Sequence, residues 1–340
     1  MKITHVIFAM NIGGAEVMLV DLLNQQVKKQ SVSLIVINSS ICFSLLDKID
    51  NQVKIVLIGR KEKSRSLLPI IKLNWYLLRI MPDIIHCHNH AVIKMIVLKN
   101  NAVLTVHDVN VPTNNFKDYK KIFAISNAVK NNIEKRSSIN PILVYNGIKV
   151  ESINIKEDYT FNIFRIIQVS RLDHNKKGQH ILLKALKILV YDRKIKNIKV
   201  DFIGEGESLF FLKDLVLEYQ LQNYVNFKGS CHREFIYEHL NEYCLLIQPS
   251  MYEGFGLAIA EAMVAKLPVL VSDIDGPLEI VGNGEYGYVF KKGDVQSLVN
   301  KINHIYLNYS SIRTIIDKAH DWCIKKFSIK KMTQNYINNY

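Results

Sequence analysis

Residues 249–263 read Pro249-Ser250-Met251-Tyr252-Glu253-Gly254-Phe255-Gly256-Leu257-Ala258-Ile259-Ala260-Glu261-Ala262-Met263. The apolar run 244–247 before them predicts a strand. Gly254 and Gly256 predict a tight turn, and the small apolar residues after them predict a helix. Such a turn leaves unpaired backbone N–H groups at the helix start, a ready site for a phosphate. Glu253 stands at the mouth of the turn and Glu261 in the second turn of the helix. One ligand could take phosphate contacts from the backbone and hydroxyl contacts from both carboxylates, and a nucleotide sugar carries both kinds of group.

Outward from this stretch, strand and helix patterns alternate in both directions. Strands are predicted at 3–9, 32–37, 53–58, 84–87, 102–106, 122–125 and 142–144, with helices at 15–28, 67–80, 92–99 and 127–135. The polar, aperiodic stretch 149–162 reads as a linker. Beyond it, strands are predicted at 164–169, 199–203, 225–227, 244–247 and 269–271. Helices are predicted at 179–190, 208–219, 234–241, 256–265, 295–308 and 312–326, with a short one through 340. The chain of 340 residues exceeds one typical core. The expected class is therefore α/β, with two Rossmann-like doubly wound domains facing across a cleft. Their expected extents are 1–148 and 163–320, with residues 321–340 packing back on the first domain.

The stretch from Pro249 to Met263, with the following Lys266-Leu267-Pro268-Val269-Leu270-Val271-Ser272-Asp273-Ile274-Asp275, resembles the E-x7-E signature of retaining glycosyltransferases. The group is glycosyltransferase family 4 (glycosyl transferases group 1), of the GT-B fold. The resemblance implies an N-terminal acceptor-binding domain and a C-terminal nucleotide-sugar-binding domain. It implies that Glu261 accepts hydrogen bonds from ribose hydroxyls and that Glu253 holds a sugar hydroxyl. The backbone at Gly254, Phe255, Gly256 and Leu257 would cradle the diphosphate. Arg171 and Lys177, in Arg171-Leu172-Asp173-His174-Asn175-Lys176-Lys177-Gly178, follow a predicted strand and suit phosphate oxygens; they resemble the family's Arg-Leu…Lys-Gly segment. Gly204-Glu205-Gly206 resembles its turn near the nucleoside, though a plain β–α turn reads equally well. Asn11-Ile12-Gly13-Gly14-Ala15-Glu16 is not a dinucleotide fingerprint and resembles the family's first glycine loop, which places Gly14 beside the donor phosphates. A plain strand-to-helix turn is the other reading there. His107, in Thr105-Val106-His107-Asp108, resembles the cleft histidine that meets the donor sugar; the alternative is a structural histidine. Ser126 is a weaker candidate.

His86, His88 and His90 alternate on one side of an extended segment. No carboxylate or further cysteine completes a ligand set, so no metal site is expected and a structural or acceptor-side role is read instead. Asp273-Ile274-Asp275 spells a D-x-D motif but falls where the family has a variable loop, and it is read as coincidence. No Ser-His-Asp order, zinc motif or P-loop occurs. Five scattered cysteines suggest a reducing compartment. No apolar run reaches a membrane span, and the first residues read as a strand rather than a signal peptide. A cytoplasmic place, peripheral on the inner face of the membrane, is expected.

The net charge of +13 favours anionic partners, and no nucleic-acid module is visible. Residues 60–81 combine basic side chains with Trp75, Tyr76 and many aliphatics, as an interfacial segment does. A core-facing helix with a basic outer face is the alternative. The expected function is metal- and cofactor-free transfer of a hexose or N-acetylhexosamine from a UDP-sugar to a lipid-diphosphate-linked sugar, in O-antigen or capsule assembly, with an α linkage. A nucleotide-sugar epimerase of GT-B architecture and a non-catalytic partner subunit are the other readings.

Overall fold

A computed structural model describes residues 1–11, 13–62 and 64–340. The chain divides into two units, Met1–Ile148 with Phe327–Tyr340, and Lys149–Lys326. The first holds seven parallel strands: β1 (Lys2–Ile7), β2 (Ser31–Asn38), β3 (Lys54–Arg60), β4 (Ile84–Cys87), β5 (Ala102–Val106), β6 (Lys121–Ala124) and β7 (Ile142–Leu143), in the order β3-β2-β1-β4-β5-β6-β7. The second holds six: β8 (Phe164–Val169), β9 (Ile198–Ile203), β10 (Val225–Phe227), β11 (Leu245–Gln248), β12 (Val269–Ser272) and β13 (Tyr288–Phe290), in the order β10-β9-β8-β11-β12-β13. Central strands such as β4, β5 and β11 are buried at every position. Covered on both faces, they read as apolar runs rather than alternating ones.

Each sheet grows outward on one side and then restarts on the other. The order reverses between β1 and β4, and between β8 and β11. Ligands of such sheets bind outside the carboxyl ends of the strands at that reversal. The second core packs Phe164, Ile166, Leu182, Leu186, Leu245 and Ile302 behind the site. It fixes the strand ends from which the loops depart.

The structure departs from the sequence reading in several places. Residues 92–99 form short 3-10 turns, Val92–Lys94 and Lys99–Asn101, not a helix. The Asn74 amide accounts for this: its Nδ2 donates to the Met95 carbonyl at 2.8 Å and its Oδ1 accepts from the Val97 N–H at 2.8 Å. Those backbone groups are thereby removed from a helical ladder. Strand β13 was not anticipated, nor was the helix Asp275–Ile280 that opens within the D-x-D motif.

Residues 149–162 do not hang free. Lys156 is buried, its N–H bonds to the Ala265 carbonyl at 2.8 Å, and its ammonium reaches the Asn241 carbonyl at 3.0 Å. The break expected at 320 lies inside the helix Arg313–Phe327, and only the helix Ile329–Asn339 with its flanks joins the first unit.

The helix Leu68–Ile80 buries Leu73 and Leu77 and turns Leu68, Ile71, Trp75 and Leu78 outward, each at least half exposed. Its outer face is thus apolar with a basic edge, not simply basic. Arg79 lies 5.2 Å over the Trp75 ring. Lys63 of the basic segment lies outside the described residues.

Candidate functional site

In the second unit, the loops after β8, β9 and β11 meet at the strand reversal. The loop after β8 is held from below by two buried amides. Gln168 Nε2 donates to the Lys177 carbonyl at 2.9 Å, and Gln179 Nε2 donates to the Arg171 carbonyl at 2.9 Å; both also reach Ser170 Oγ. Gly178 sits at φ +69°, and a Cβ there would lie 1.9 Å from the Pro249 carbonyl oxygen. Only glycine lets the β8 and β11 loops close on each other this tightly.

That closure brings Lys177 to Glu253, and the two form a short ion pair with both side chains mostly buried. Lys176 turns the other way, 4.9 Å over the Tyr252 ring. Arg171 is exposed, and no hydrogen bond or ion pair of its guanidinium occurs among the described residues. The helix Leu257–Val264 begins at Gly256 (φ 106°) with no side-chain cap, so its first N–H groups are not taken by a capping side chain. The Phe255 ring is buried at 2 % exposure and belongs to the core; only its backbone can serve a ligand. Gly204 follows β9, its N–H bonded to the Gly229 carbonyl at 2.8 Å.

Glu261 is buried and already engaged. Its Oε1 accepts from Arg233 Nε at 3.2 Å, Arg233 Nη2 at 2.9 Å and the Tyr237 hydroxyl at 2.9 Å. Arg233 and Tyr237 lie on the helix Arg233–His239 and were missed in the sequence. A single basic residue at a helix start belongs to no motif. Its placement within reach of Glu261 was the only available signal, and that follows from the fold. The pair fixes the carboxylate orientation and neutralises it.

Asp273 Oδ1 accepts from the Lys292 N–H at 2.6 Å, so the first D-x-D carboxylate caps a turn.

In the first unit, Gly14 opens the helix Gly14–Gln26, and Ile12 of the glycine loop lies outside the described residues. His107 follows β5, half-buried, and burial pushes its imidazole down to about 4 against the opposite pull of Asp108. Ser126 is buried and caps the helix Asn127–Arg136 through the Val129 N–H at 3.1 Å; its hydroxyl serves structure. His86 and His88 share a sheet face with ring centroids 4.5 Å apart, as their alternation predicted. His5 from β1 completes the cluster, and His90 does not join it. Both nitrogens of His5, His86 and His88 are engaged in hydrogen bonds.

Comparison with known proteins decides the family. The family model described as Glycosyl transferases group 1 matches residues 153–322, and that of Glycosyltransferase Family 4 matches residues 12–152. The chain belongs to glycosyltransferase family 4. A Staphylococcus aureus poly(ribitol-phosphate) alpha-N-acetylglucosaminyltransferase is 25% identical over 65% of this chain and 40% of its own length. The S. aureus capsular polysaccharide biosynthesis glycosyltransferase CapM is 32% identical over 41% of this chain and 36% of its own. The chain spans 23% to 56% of the length of the first curated relatives it matches. Among solved structures, Anabaena HepE in complex with UDP-glucose superposes with a TM-score of 0.84 at 20% identity, covering 100% of this family 4 chain and 99% of HepE. The architecture is thus GT-B.

Proposed function

We propose that this family 4 protein transfers a hexose or N-acetylhexosamine from a UDP-sugar, with retention of configuration and without a metal ion, to a sugar carried on a lipid diphosphate in surface-polysaccharide assembly. The observation that carries the reading is the Lys177–Glu253 pair at the strand reversal, beside an uncapped helix start and an exposed Arg171. Departure of a nucleoside diphosphate needs positive charge where negative charge develops. Lys177, Arg171 and the N–H groups around Gly254, Phe255, Gly256 and Leu257 supply it. Glu253, held by Lys177, is then positioned to accept from a sugar hydroxyl.

Glu261, oriented by Arg233, has its second oxygen for the ribose. Gly204 lets the nucleoside approach the end of β9. In the first unit, His107 offers an imidazole to a sugar hydroxyl, and Gly14 lets the chain approach a phosphate.

The two S. aureus relatives are named for N-acetylglucosaminyl transfer to poly(ribitol-phosphate) and for capsular polysaccharide biosynthesis, and HepE is seen in complex with UDP-glucose; both support the substrate class. Membrane contact is read from the outward stripe Leu68, Ile71, Trp75 and Leu78 with basic residues Arg65 and Arg79 near it. No helix among the described residues is long and apolar enough to cross a membrane.

The test is release of nucleoside diphosphate from a panel of UDP-, GDP- and ADP-sugars in EDTA, with and without a synthetic lipid-diphosphate-GlcNAc acceptor. Acceptor-dependent release from a UDP-sugar is expected. Acceptor-independent conversion of the sugar would point to an epimerase instead, and loss of all turnover in EDTA would contradict the metal-free reading.

A further inference from the structure

Eight polar groups in the first unit form one unbranched chain of hydrogen bonds. It runs Tyr336–Thr105–His86–Tyr340–Gln26–His5–His88–His107, with separations of 3.1, 2.6, 2.7, 3.0, 2.7, 2.9 and 3.0 Å. All of its members but His107 and Tyr340, which are half-buried, are buried. Burial holds all four histidines well below their usual range, so each ring is neutral near pH 7. A neutral imidazole has one N–H and one lone pair, so each bond in the chain fixes the next.

The polarity can be read from the Gln26 amide. Its Nε2 donates to the Tyr340 hydroxyl, which leaves its Oε1 to accept from His5 Nε2–H. His5 Nδ1 is then a lone pair and accepts from His88 Nε2–H. His88 Nδ1 is in turn a lone pair and accepts from His107 Nε2–H. His107 is left with an unprotonated Nδ1, which is buried and has no hydrogen-bond partner among the described residues. In the other direction, Tyr340 donates to His86 Nδ1, His86 Nε2–H donates to Thr105, and Thr105 donates to Tyr336. Reversing the amide would exchange every donor and acceptor and place an orphaned, buried N–H at His107 Nδ1. Orphaned buried N–H groups are rarer than under-used lone pairs, which favours the polarity just described.

We propose that Gln26, anchored by Tyr340, acts through His5 and His88 as a positioning residue that fixes the tautomer of His107, so that its Nδ1, the nitrogen without a protein partner among the described residues, is a bare lone pair able to accept from a substrate hydroxyl but not to donate to one. The inference rests on the reading of His107 as a substrate-facing group of a glycosyltransferase. Its chemistry is selective: a lone pair accepts from a hydroxyl and repels a phosphate oxygen. The same chain explains why three converging histidines need no cation, because each nitrogen already has a partner.

The test is nuclear magnetic resonance on the full chain labelled with 15N-histidine. The expected result is protonated Nε2 and bare Nδ1 in His5, His88 and His107. Nitrogen–nitrogen couplings across the His88–His5 and His107–His88 bonds are also expected. A proton on His107 Nδ1, or absence of both couplings, would overturn the proposal. Gln26→Leu removes the acceptor and should let the second tautomer of His107 appear, whereas Gln26→Glu, whose carboxylate accepts from His5, should preserve the wild-type pattern. An unchanged His107 in Gln26→Leu would equally overturn it. UDP release from a turned-over UDP-sugar should fall about tenfold or more in Gln26→Leu and recover in Gln26→Glu. Absence of any turnover in the wild type would contradict the proposed function, while the proton positions would still uphold or overturn the relay.

Discussion

Lys177 and Glu253 hold each other where the β8 and β11 loops meet, and each gives the other its position. Lys177→Ala should lower kcat/KM for nucleotide-sugar turnover by at least about 30-fold, since a lost partner for a desolvated phosphate is worth ~2–5 kcal/mol. Unchanged turnover would remove Lys177 from the site. Arg233 plays a different part. It neutralises a buried carboxylate, and Arg233→Leu should destabilise the second unit by about 3 kcal/mol or more in a urea titration, because Glu261 is left charged and unpaired apart from Tyr237. Glu261→Gln with Arg233 intact should cost less, because its amide oxygen can still accept from Arg233 and Tyr237.

The buried histidines set a pH dependence whose sign is fixed. Burial takes His5 and His107 from 6.5 to about 4 in the folded chain. Between those values the unfolded chain binds protons that the folded chain does not, so stability is full above about pH 6.5 and falls as pH drops toward 4. A shift of this size is worth on the order of 3 kcal/mol at one site. Denaturant midpoints measured from pH 7.5 to 4.5 should fall steadily below about 6.5, and a flat profile would contradict the burial of this cluster.

The helix Leu68–Ile80 carries the membrane reading, and its sequence shows both why it forms and why it is unusual. Pro69 stands in its first turn, where a missing N–H does no harm, and Met81 ends it in a left-handed conformation. Leu73 and Leu77 suffice to dock it, leaving Ile71 and Leu78 outward. Ile71→Glu with Leu78→Glu should abolish sedimentation with vesicles containing anionic lipid while leaving the thermal midpoint within a few degrees, because no buried contact is lost. Retained sedimentation would move the membrane face elsewhere.

Strands were the most legible elements, because parallel strands buried on both faces appear as uninterrupted apolar runs. The helix misread at 92–99 shows the limit of periodicity, since Asn74 captures its backbone from another element. The glycine turn and both glutamates of the site were legible because they are close in sequence. Arg233, Gln26 and Tyr340 were not, because their partners lie 28, 21 and 254 residues away. The alternation of His86 and His88 showed a shared face, but nothing local revealed that His5 would stack against them.

At the scale of the molecule, two parallel sheets each reverse their strand order once, between β1 and β4 and between β8 and β11, and the residues proposed for the site lie in the segments that follow β1, β5, β8 and β11. In the second unit these are Arg171, Lys177, Glu253 and Glu261; in the first they are Gly14 and His107. Family membership and the GT-B fold account for this arrangement. The central claim is that a nucleoside diphosphate sits on the second unit, over the loops after β8, β9 and β11. Hydrogen–deuterium exchange of the full chain with and without UDP tests it directly. The account predicts slowed exchange in residues 170–178, 204–208 and 253–261, with β2, β3 and β7 unchanged. Protection confined to the first unit, or none at saturating UDP, would contradict it.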